Sequence, residues 1–225
     1  MKKNLLVVAA HPDDEILGCC GSLLKFKNQY QINVIFMTDG VSSRYKSNTP
    51  LKKKNTRIQE CLNVFKFLKF KKPSFYNFPD NKLDSVPLIN LIKTIEKNIK
   101  KFKPEIVITH FENCLNIDHQ IVYKAVITAA RPINNSCVRK ILSFEIPSST
   151  NWALFKKNTF APNYYVDISK NINKKIKALK MYKSELRKFP HSRSLRHVKN
   201  LAQLRGSDCG VSFAEAFILV RNLHK

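Results

Sequence analysis

Short apolar runs alternate with amphipathic segments through the first two-thirds of this 225-residue chain. The apolar runs predict strands at residues 5–10, 32–38, 74–78, 106–109 and 140–146. The segments between them have helical spacing at residues 15–26, 56–68, 88–99 and 121–130. Strands that alternate with helices in this way predict βαβ units. We therefore expect an α/β fold with a Rossmann-like, mainly parallel sheet and helices on both of its faces.

The last third of the chain is less regular. Residues 172–186 and 194–204 predict helices, whereas residues 215–220 are compatible with a final strand or a helix. No internal repeat or low-complexity linker divides the sequence. This length fits one domain with a single core, so we expect one domain over residues 1–225 with an irregular C-terminal third.

The first predicted strand ends in a histidine followed by acidic residues, His11-Pro12-Asp13-Asp14-Glu15. A dinucleotide-binding fold has glycines at this point, and unneutralised carboxylates would repel a pyrophosphate. His11 and Asp14 instead offer one nitrogen and one oxygen donor, a pairing that suits zinc. The simpler alternative is that Asp13 or Asp14 caps the following helix. Capping, however, requires one carboxylate and no histidine.

A third ligand has to come from another strand end. The loop that follows the predicted strand at 106–109 carries several candidate donors: His110, Asn113, Asn116, Asp118 and His119. In a parallel sheet this loop opens at the same edge as His11. Three protein ligands plus a water are typical of a catalytic zinc. Each histidine alone is compatible with an ordinary polar residue, but the combination favours a metal site.

Two motifs carry a family resemblance. Ala10-His11-Pro12-Asp13-Asp14-Glu15, followed later by Asn116-Ile117-Asp118-His119, resembles the LmbE-like (PIG-L) family of zinc deacetylases. That family includes the N-acetylglucosaminyl-phosphatidylinositol de-N-acetylases and the deacetylases of mycothiol and bacillithiol synthesis. Further similarities run through most of the chain, at Thr38-Asp39-Gly40, Arg57 with Glu60, Pro79-Asp80, Thr109-His110, Arg131-Pro132 and residues 189–194.

The resemblance implies roles for individual residues. It implies one zinc ion per chain, with the ligands His11, Asp14 and His119. It makes Asp13 the general base of the reaction. It also places four residues at or near the substrate: Arg57, Asp80, His191 and Arg193.

Two positions depart from the family pattern. Some relatives have an oxyanion-stabilising histidine where this chain has Asn116, and close relatives tend to have Asp where this chain has Cys114. The first departure leaves the oxyanion donor open between His110 and Asn116. The second is expected to alter only the support of the site.

The expected function is therefore hydrolysis of the N-acetyl group of an amino sugar by zinc-activated water. Arg57 and the segment 189–194 favour a polar substrate that bears phosphate, such as a nucleotide- or lipid-linked sugar. Two alternatives stay open within the family, namely the same hydrolysis of a non-sugar amide and a non-catalytic member. The intact set of His11, Asp13, Asp14 and His119 argues against the second. An oligomer is compatible with the sequence.

The composition is strongly basic, with 40 Lys and Arg against 16 Asp and Glu and a net charge of +24. Such a charge attracts phosphate-bearing partners. The basic residues are dispersed and no nucleic-acid-binding motif is present, so we expect no specific nucleic-acid partner. No apolar run reaches the roughly 20 residues that span a bilayer, and no signal peptide is evident. We therefore expect a cytoplasmic protein in which the six cysteines are free thiols.

Overall fold

The computed structural model describes residues 2–44, 55–133, 136–153 and 159–224. Its strands are β1 Lys3–Ala9, β2 Tyr30–Thr38, β3 Ser74–Phe78, β4 Ile106–His110, β5 Lys140–Phe144, β6 Tyr164–Asp167 and β7 Ala214–Asn222. Its helices are α1 Asp14–Phe26, α2 Thr56–Leu68, α3 Leu88–Phe102, α4 Ile117–Ala129, α5 Ile172–Lys180 and α6 Leu195–Ser207. Two short 3₁₀ turns lie at Ser42–Arg44 and Leu83–Ser85.

The strands form one sheet in the order β3-β2-β1-β4-β5-β7-β6. The first five strands in the chain are parallel, whereas β7 runs antiparallel to both β5 and β6. The prediction of an α/β fold with a mainly parallel sheet is confirmed. The strand order reverses at β1, which pairs with β2 on one side and β4 on the other. Crevices beyond the carboxyl ends of strands at such a reversal are where these sheets bind ligands.

The central strand β1 is buried on both faces, which explains its continuous apolar sequence. Leu5, Val7 and Ala9 pack into one core cluster, which contains side chains of α1, α2, α5 and α6. Leu6, Val8 and Ala10 pack into a second cluster, with side chains of α3 and α4. The predicted coverage of both sheet faces by helices is therefore observed.

The C-terminal third is more regular than the sequence predicts. Residues 215–220 lie in strand β7, and β6 was not predicted because it has only four residues and is half-buried. The helix predicted over residues 172–186 ends at Lys180. Helix α4 begins at Ile117, four residues before the predicted start, so His119 lies within its first turn. Within the described ranges, no helix is both long and apolar enough to cross a membrane.

Candidate metal centre and active site

The loop between β1 and α1 brings two consecutive carboxylates into the crevice. Asp13 has a φ of 117°, a left-handed backbone conformation that L-residues other than glycine rarely adopt. Asp13 occupies the N-cap position of α1, but its side chain makes no capping hydrogen bond. Asp14 Oδ2 accepts the backbone N–H of His11 at 2.8 Å. The capping alternative therefore does not account for either carboxylate.

The three predicted ligands converge at the carboxyl ends of β1 and β4. His11 Nδ1 lies 3.3 Å from both Asp14 Oδ2 and His119 Nε2, and Asp14 Oδ2 lies 3.5 Å from His119 Nε2. Ligand atoms about 2.0–2.1 Å from a tetrahedral ion lie roughly 3.3–3.4 Å from one another. All three residues are buried, and the second oxygen of Asp14 has no hydrogen-bond partner among the described residues. This donor set fits a divalent metal ion such as zinc.

The surrounding charges act differently on Asp14 and His11. Burial by itself would raise the pKa of Asp14, but the neighbouring His119 and a hydrogen bond from His11 hold it well below its ordinary value. Burial would lower the pKa of His11, but hydrogen bonds to Asp118, Asp14 and Asp80 raise it well above its ordinary value. Asp14 is therefore ionised, as a metal ligand has to be, whereas a metal ion would have to displace a proton from His11 Nδ1.

Two carboxylates fix the ring of His11 from behind. His11 Nε2 lies 3.0 Å from Asp118 Oδ2 and 3.3 Å from Asp80 Oδ1, so it carries the proton and Nδ1 keeps its lone pair for the metal. Asp118 also accepts the backbone N–H groups of Asn81 and Leu83. Such outer hydrogen bonds orient a metal-bound histidine and set its tautomer. His11, Asp80 and Asp118 form a second group whose spacing would suit a metal ion. Because both carboxylates already bond to His11 Nε2, we interpret this group as a support for the site formed by His11, Asp14 and His119.

Asp80 was expected at the substrate, and in the structure it contacts His11. It is 1% exposed, and its carboxylate accepts hydrogen bonds from the backbone and the hydroxyl of Ser43. Burial would raise the pKa of Asp80, but His11 and Ser43 hold it well below its ordinary value. These contacts show Asp80 as a support of His11, and its predicted role at the substrate stays a prediction.

The ring of His119 is held by a thiol. His119 Nδ1 lies 3.2 Å from Cys114 Sγ, which lies 3.2 Å from Thr150 Oγ1. Asn116 caps α4, since its Oδ1 accepts the backbone N–H groups of Asp118 and His119. The cap at the N-terminus of α4 therefore holds the backbone of His119 in place, and Cys114 holds its ring.

The two candidate oxyanion donors are both engaged in other contacts. His110 is fully buried, its ring stacks on that of His119, and its Nε2 accepts the backbone N–H of Ala10 at 2.8 Å. Burial and the charge of His119 hold the pKa of His110 well below its ordinary value, so the ring is neutral. Asn116 Nδ2 donates to Asn81 Oδ1 at 2.9 Å. The contacts of His110 and Asn116 do not favour one of them as the oxyanion donor, so that role stays a prediction for both.

Asp13 is held between two arginines. Arg57 Nη2 donates to Asp13 Oδ1, and Arg193 Nη1 lies 3.3 Å from Asp13 Oδ2. Arg193 Nη1 also lies 3.1 Å from Glu185 Oε2, and Glu185 pairs with Arg44. Burial raises the pKa of Asp13 above its ordinary value although both arginines oppose the rise. A carboxylate of raised pKa suits a group that takes up and returns a proton.

The remaining predicted substrate residues differ in location. Arg57 is 2% exposed, and its guanidinium also donates to the carbonyls of Pro12 and Gly40. Its predicted contact with substrate stays a prediction. Arg193 is partly exposed and borders Asp13, while His191 lies nearby with its ring 5.1 Å from that of Trp152. The backbone N–H of Arg193 donates to His191 Nδ1, so these two residues lie together on the more exposed side of Asp13, which we term the mouth. Glu185 and Trp152 had no sequence signal that marked them.

The comparisons with known proteins agree with this geometry. The family model described as PIG-L, GlcNAc-PI de-N-acetylase, matches residues 6–130, which is more than half of the chain. The chain belongs to the PIG-L family. This membership confirms the family predicted from the two motifs and, with it, the predicted enzyme class, a deacetylase that hydrolyses non-peptide amide bonds.

Individual relatives cover nearly all of this PIG-L member. Uncharacterized deacetylase YaiS of Escherichia coli (strain K12) is 30% identical over 196 residues, which is 81% of this chain and 92% of the relative. The structure of N,N'-diacetylchitobiose deacetylase from Pyrococcus horikoshii is 21% identical with a TM-score of 0.77, covering 97% of this chain and 84% of that chain. GalB, the 4-carboxy-2-hydroxymuconate hydratase of Pseudomonas putida KT2440, is 18% identical with a TM-score of 0.76, and the match covers 99% of this chain and 98% of GalB. Since a hydratase shares the fold, site residues and not the fold determine the reaction.

Proposed function

We propose that this PIG-L member is a zinc-dependent hydrolase that removes the acetyl group from the nitrogen of a small N-acetylated amino sugar. The observation that carries the proposal is the convergence of His11 Nδ1, Asp14 Oδ2 and His119 Nε2 within 3.5 Å of one another. Asp13 lies directly beside this donor set. The P. horikoshii neighbour, which acts on N,N'-diacetylchitobiose by its name, supports an acetamido sugar as the substrate class.

The residues of the site have separate roles in the proposed reaction. A zinc ion held by His11, Asp14 and His119 would supply a water of lowered pKa and would polarise the acetyl carbonyl. Asp13 would accept a proton from the water that attacks the acetyl carbon. Arg57 and Arg193 hold the two carboxylate oxygens of Asp13 in place for this role. Asp13 then returns the proton to the leaving nitrogen, which releases acetate and the free amino sugar.

Arg193 and His191 determine what enters the mouth. Arg193 is held by Ser148 Oγ and Glu185, so its guanidinium is already oriented before substrate binds. A cation at this place favours an acetamido sugar that carries a phosphate, since guanidinium N–H groups form charge-assisted hydrogen bonds with phosphate oxygens. The exposed fraction of the Arg193 side chain, 17%, leaves room for such a contact.

The test is acetate release by purified protein that has been stripped of metal and reloaded with zinc. Substrates are N-acetylglucosamine, its 1-phosphate, a nucleotide-linked form and an N-acetyl amino acid. We expect turnover only with zinc and the highest kcat/KM for a phosphorylated sugar. Asp13→Asn should retain zinc and lose about 10²–10⁴-fold in kcat. Turnover of the amino acid alone would refute the sugar assignment, and full activity of Asp13→Asn would refute the base.

A further inference from the structure

Exposed apolar side chains lie on the segments of chain that adjoin the mouth. Leu115 is 51% exposed, Ile117 39%, Trp152 45% and Phe189 52%. Large apolar groups that are exposed in one contiguous area mark interaction surfaces more often than isolated ones do. We call these four residues the apolar rim.

Direct contacts join the segments that carry the apolar rim. The backbone N–H of Leu115 donates to the carbonyl of Ser149, three residues before Trp152. Asn151 donates to Ser192, and the Trp152 ring lies against that of His191, two residues after Phe189. The segments that carry the rim are therefore joined to one another. They lie at the carboxyl edge of the sheet, because Arg193, four residues after Phe189, reaches Asp13.

Positive charge lies directly beside the apolar rim. The guanidinium of Arg196 lies 4.4 Å from the centre of the Phe189 ring, and Arg187 and Lys188 immediately precede that phenylalanine. Partial burial and the charges of Arg187 and Arg193 lower the pKa of His191 in this loop. The surface therefore combines exposed aromatic and aliphatic groups with cations.

We infer that the apolar rim docks the mouth of the site onto a phospholipid bilayer with anionic headgroups. Trp and Phe are favoured at the boundary between headgroups and acyl chains, and nearby Lys and Arg add attraction to anionic lipids. A nucleic acid would pair with the cations but would leave Leu115 and Ile117 in water. The docked orientation directs the mouth at the membrane, so substrate would reach Asp13 from the headgroup layer.

Trp152 is the only tryptophan in the sequence, so its fluorescence reports on the rim directly. Zinc-loaded protein is titrated with vesicles of phosphatidylcholine alone and of phosphatidylcholine with phosphatidylglycerol. We expect a blue shift of the Trp152 emission and protection from iodide quenching only with the anionic vesicles. We also expect Phe189→Ser to weaken vesicle binding about tenfold, since a ring that leaves water contributes about 1.4 kcal/mol or more.

Phe67→Ser is the matched control. Phe67 is also partly exposed, at 38%, and Lys174 lies 5.8 Å from its ring centre, but it ends α2 at the opposite edge of the sheet. This variant should bind vesicles as the parent does, and thermal unfolding of both variants checks that they fold. The inference fails if anionic vesicles bind without a change in Trp152 emission, or if Phe67→Ser weakens binding as much as Phe189→Ser. It also fails if a single-stranded oligonucleotide produces the same blue shift. Because these measurements use no substrate, their outcome is separate from that of the proposed deacetylation.

Discussion

Replacement of Arg57 by Gln is expected to destabilise the protein strongly. The guanidinium is 2% exposed and joins three parts of the chain, through hydrogen bonds to Pro12 O, Gly40 O and Asp13 Oδ1. Its loss leaves the Asp13 carboxylate buried without this partner. Breaking a buried ion pair in this way costs about 3–5 kcal/mol. At about 2–4 °C per kcal/mol for a chain of this size, Tm should fall by roughly 6–20 °C.

Calorimetry of the metal-free protein measures this effect without interference from ligand binding. Arg131→Gln is the control, because Arg131 is exposed and its carboxylate partner Glu96 lies 4.0 Å away. Exposed pairs contribute about 0–1 kcal/mol, so this variant should unfold close to the parent. The double variant Arg57→Gln with Asp13→Asn should lose less stability than the sum of the single changes. A Tm for Arg57→Gln within 2 °C of the control, an outcome well below the roughly 6 °C minimum, would contradict the assigned ion pair.

Three further changes test separate parts of the structure. Cys114→Ala removes the partner of His119 Nδ1 and should weaken zinc binding about 10–100-fold in a chelator competition. Cys114→Asp should restore the zinc affinity. Equal zinc affinity of Cys114→Ala and the parent would show that Cys114 does not support the site. Burial raises the pKa of Glu15 to about 8, so the parent should lose stability as pH rises from about 5 to 8. The loss should be smaller in Glu15→Gln, in which other groups of raised pKa, such as Asp13, remain. Urea midpoints at both pH values decide this, and equal losses in the two proteins would contradict it. A Cβ at Gly18 would lie 2.5 Å from the Phe144 ring, so Gly18→Ala should cost about 1–3 kcal/mol, whereas at an unobstructed helix position this change stabilises.

The parts of the fold that follow a local pattern could be predicted from the sequence. Helix α2 and strand β3 have the predicted bounds, since their apolar spacing is set by burial of one face. The approach of His11 and His119 followed from a general rule, because the carboxyl ends of neighbouring parallel strands meet at one edge. Strand β6 had no such pattern. Its four residues are held in place by pairing with β7, a contact between distant parts of the chain.

The roles of Arg57 and Asp80 could not be predicted in the same way. Their proximity to the site was expected, but the direction of each side chain depends on partners far away in the sequence. Arg57 is directed inward by the carbonyls of Pro12 and Gly40, and Asp80 by Ser43 and His11. A position near a site therefore does not by itself determine whether a polar residue meets the substrate or supports another residue.

Asp13 and Asp14 show how one turn of backbone separates two chemical roles. The left-handed conformation of Asp13 directs its carboxylate toward the arginines, while Asp14, the first residue of α1, meets the histidines. Burial acts to raise the pKa of both carboxyls. At Asp13 burial outweighs the two arginines and the pKa rises, whereas at Asp14 the interactions with His119 and His11 help to outweigh burial and the pKa falls. Adjacent carboxylates with pKa values shifted in opposite directions can act as a proton acceptor and as a permanently charged ligand.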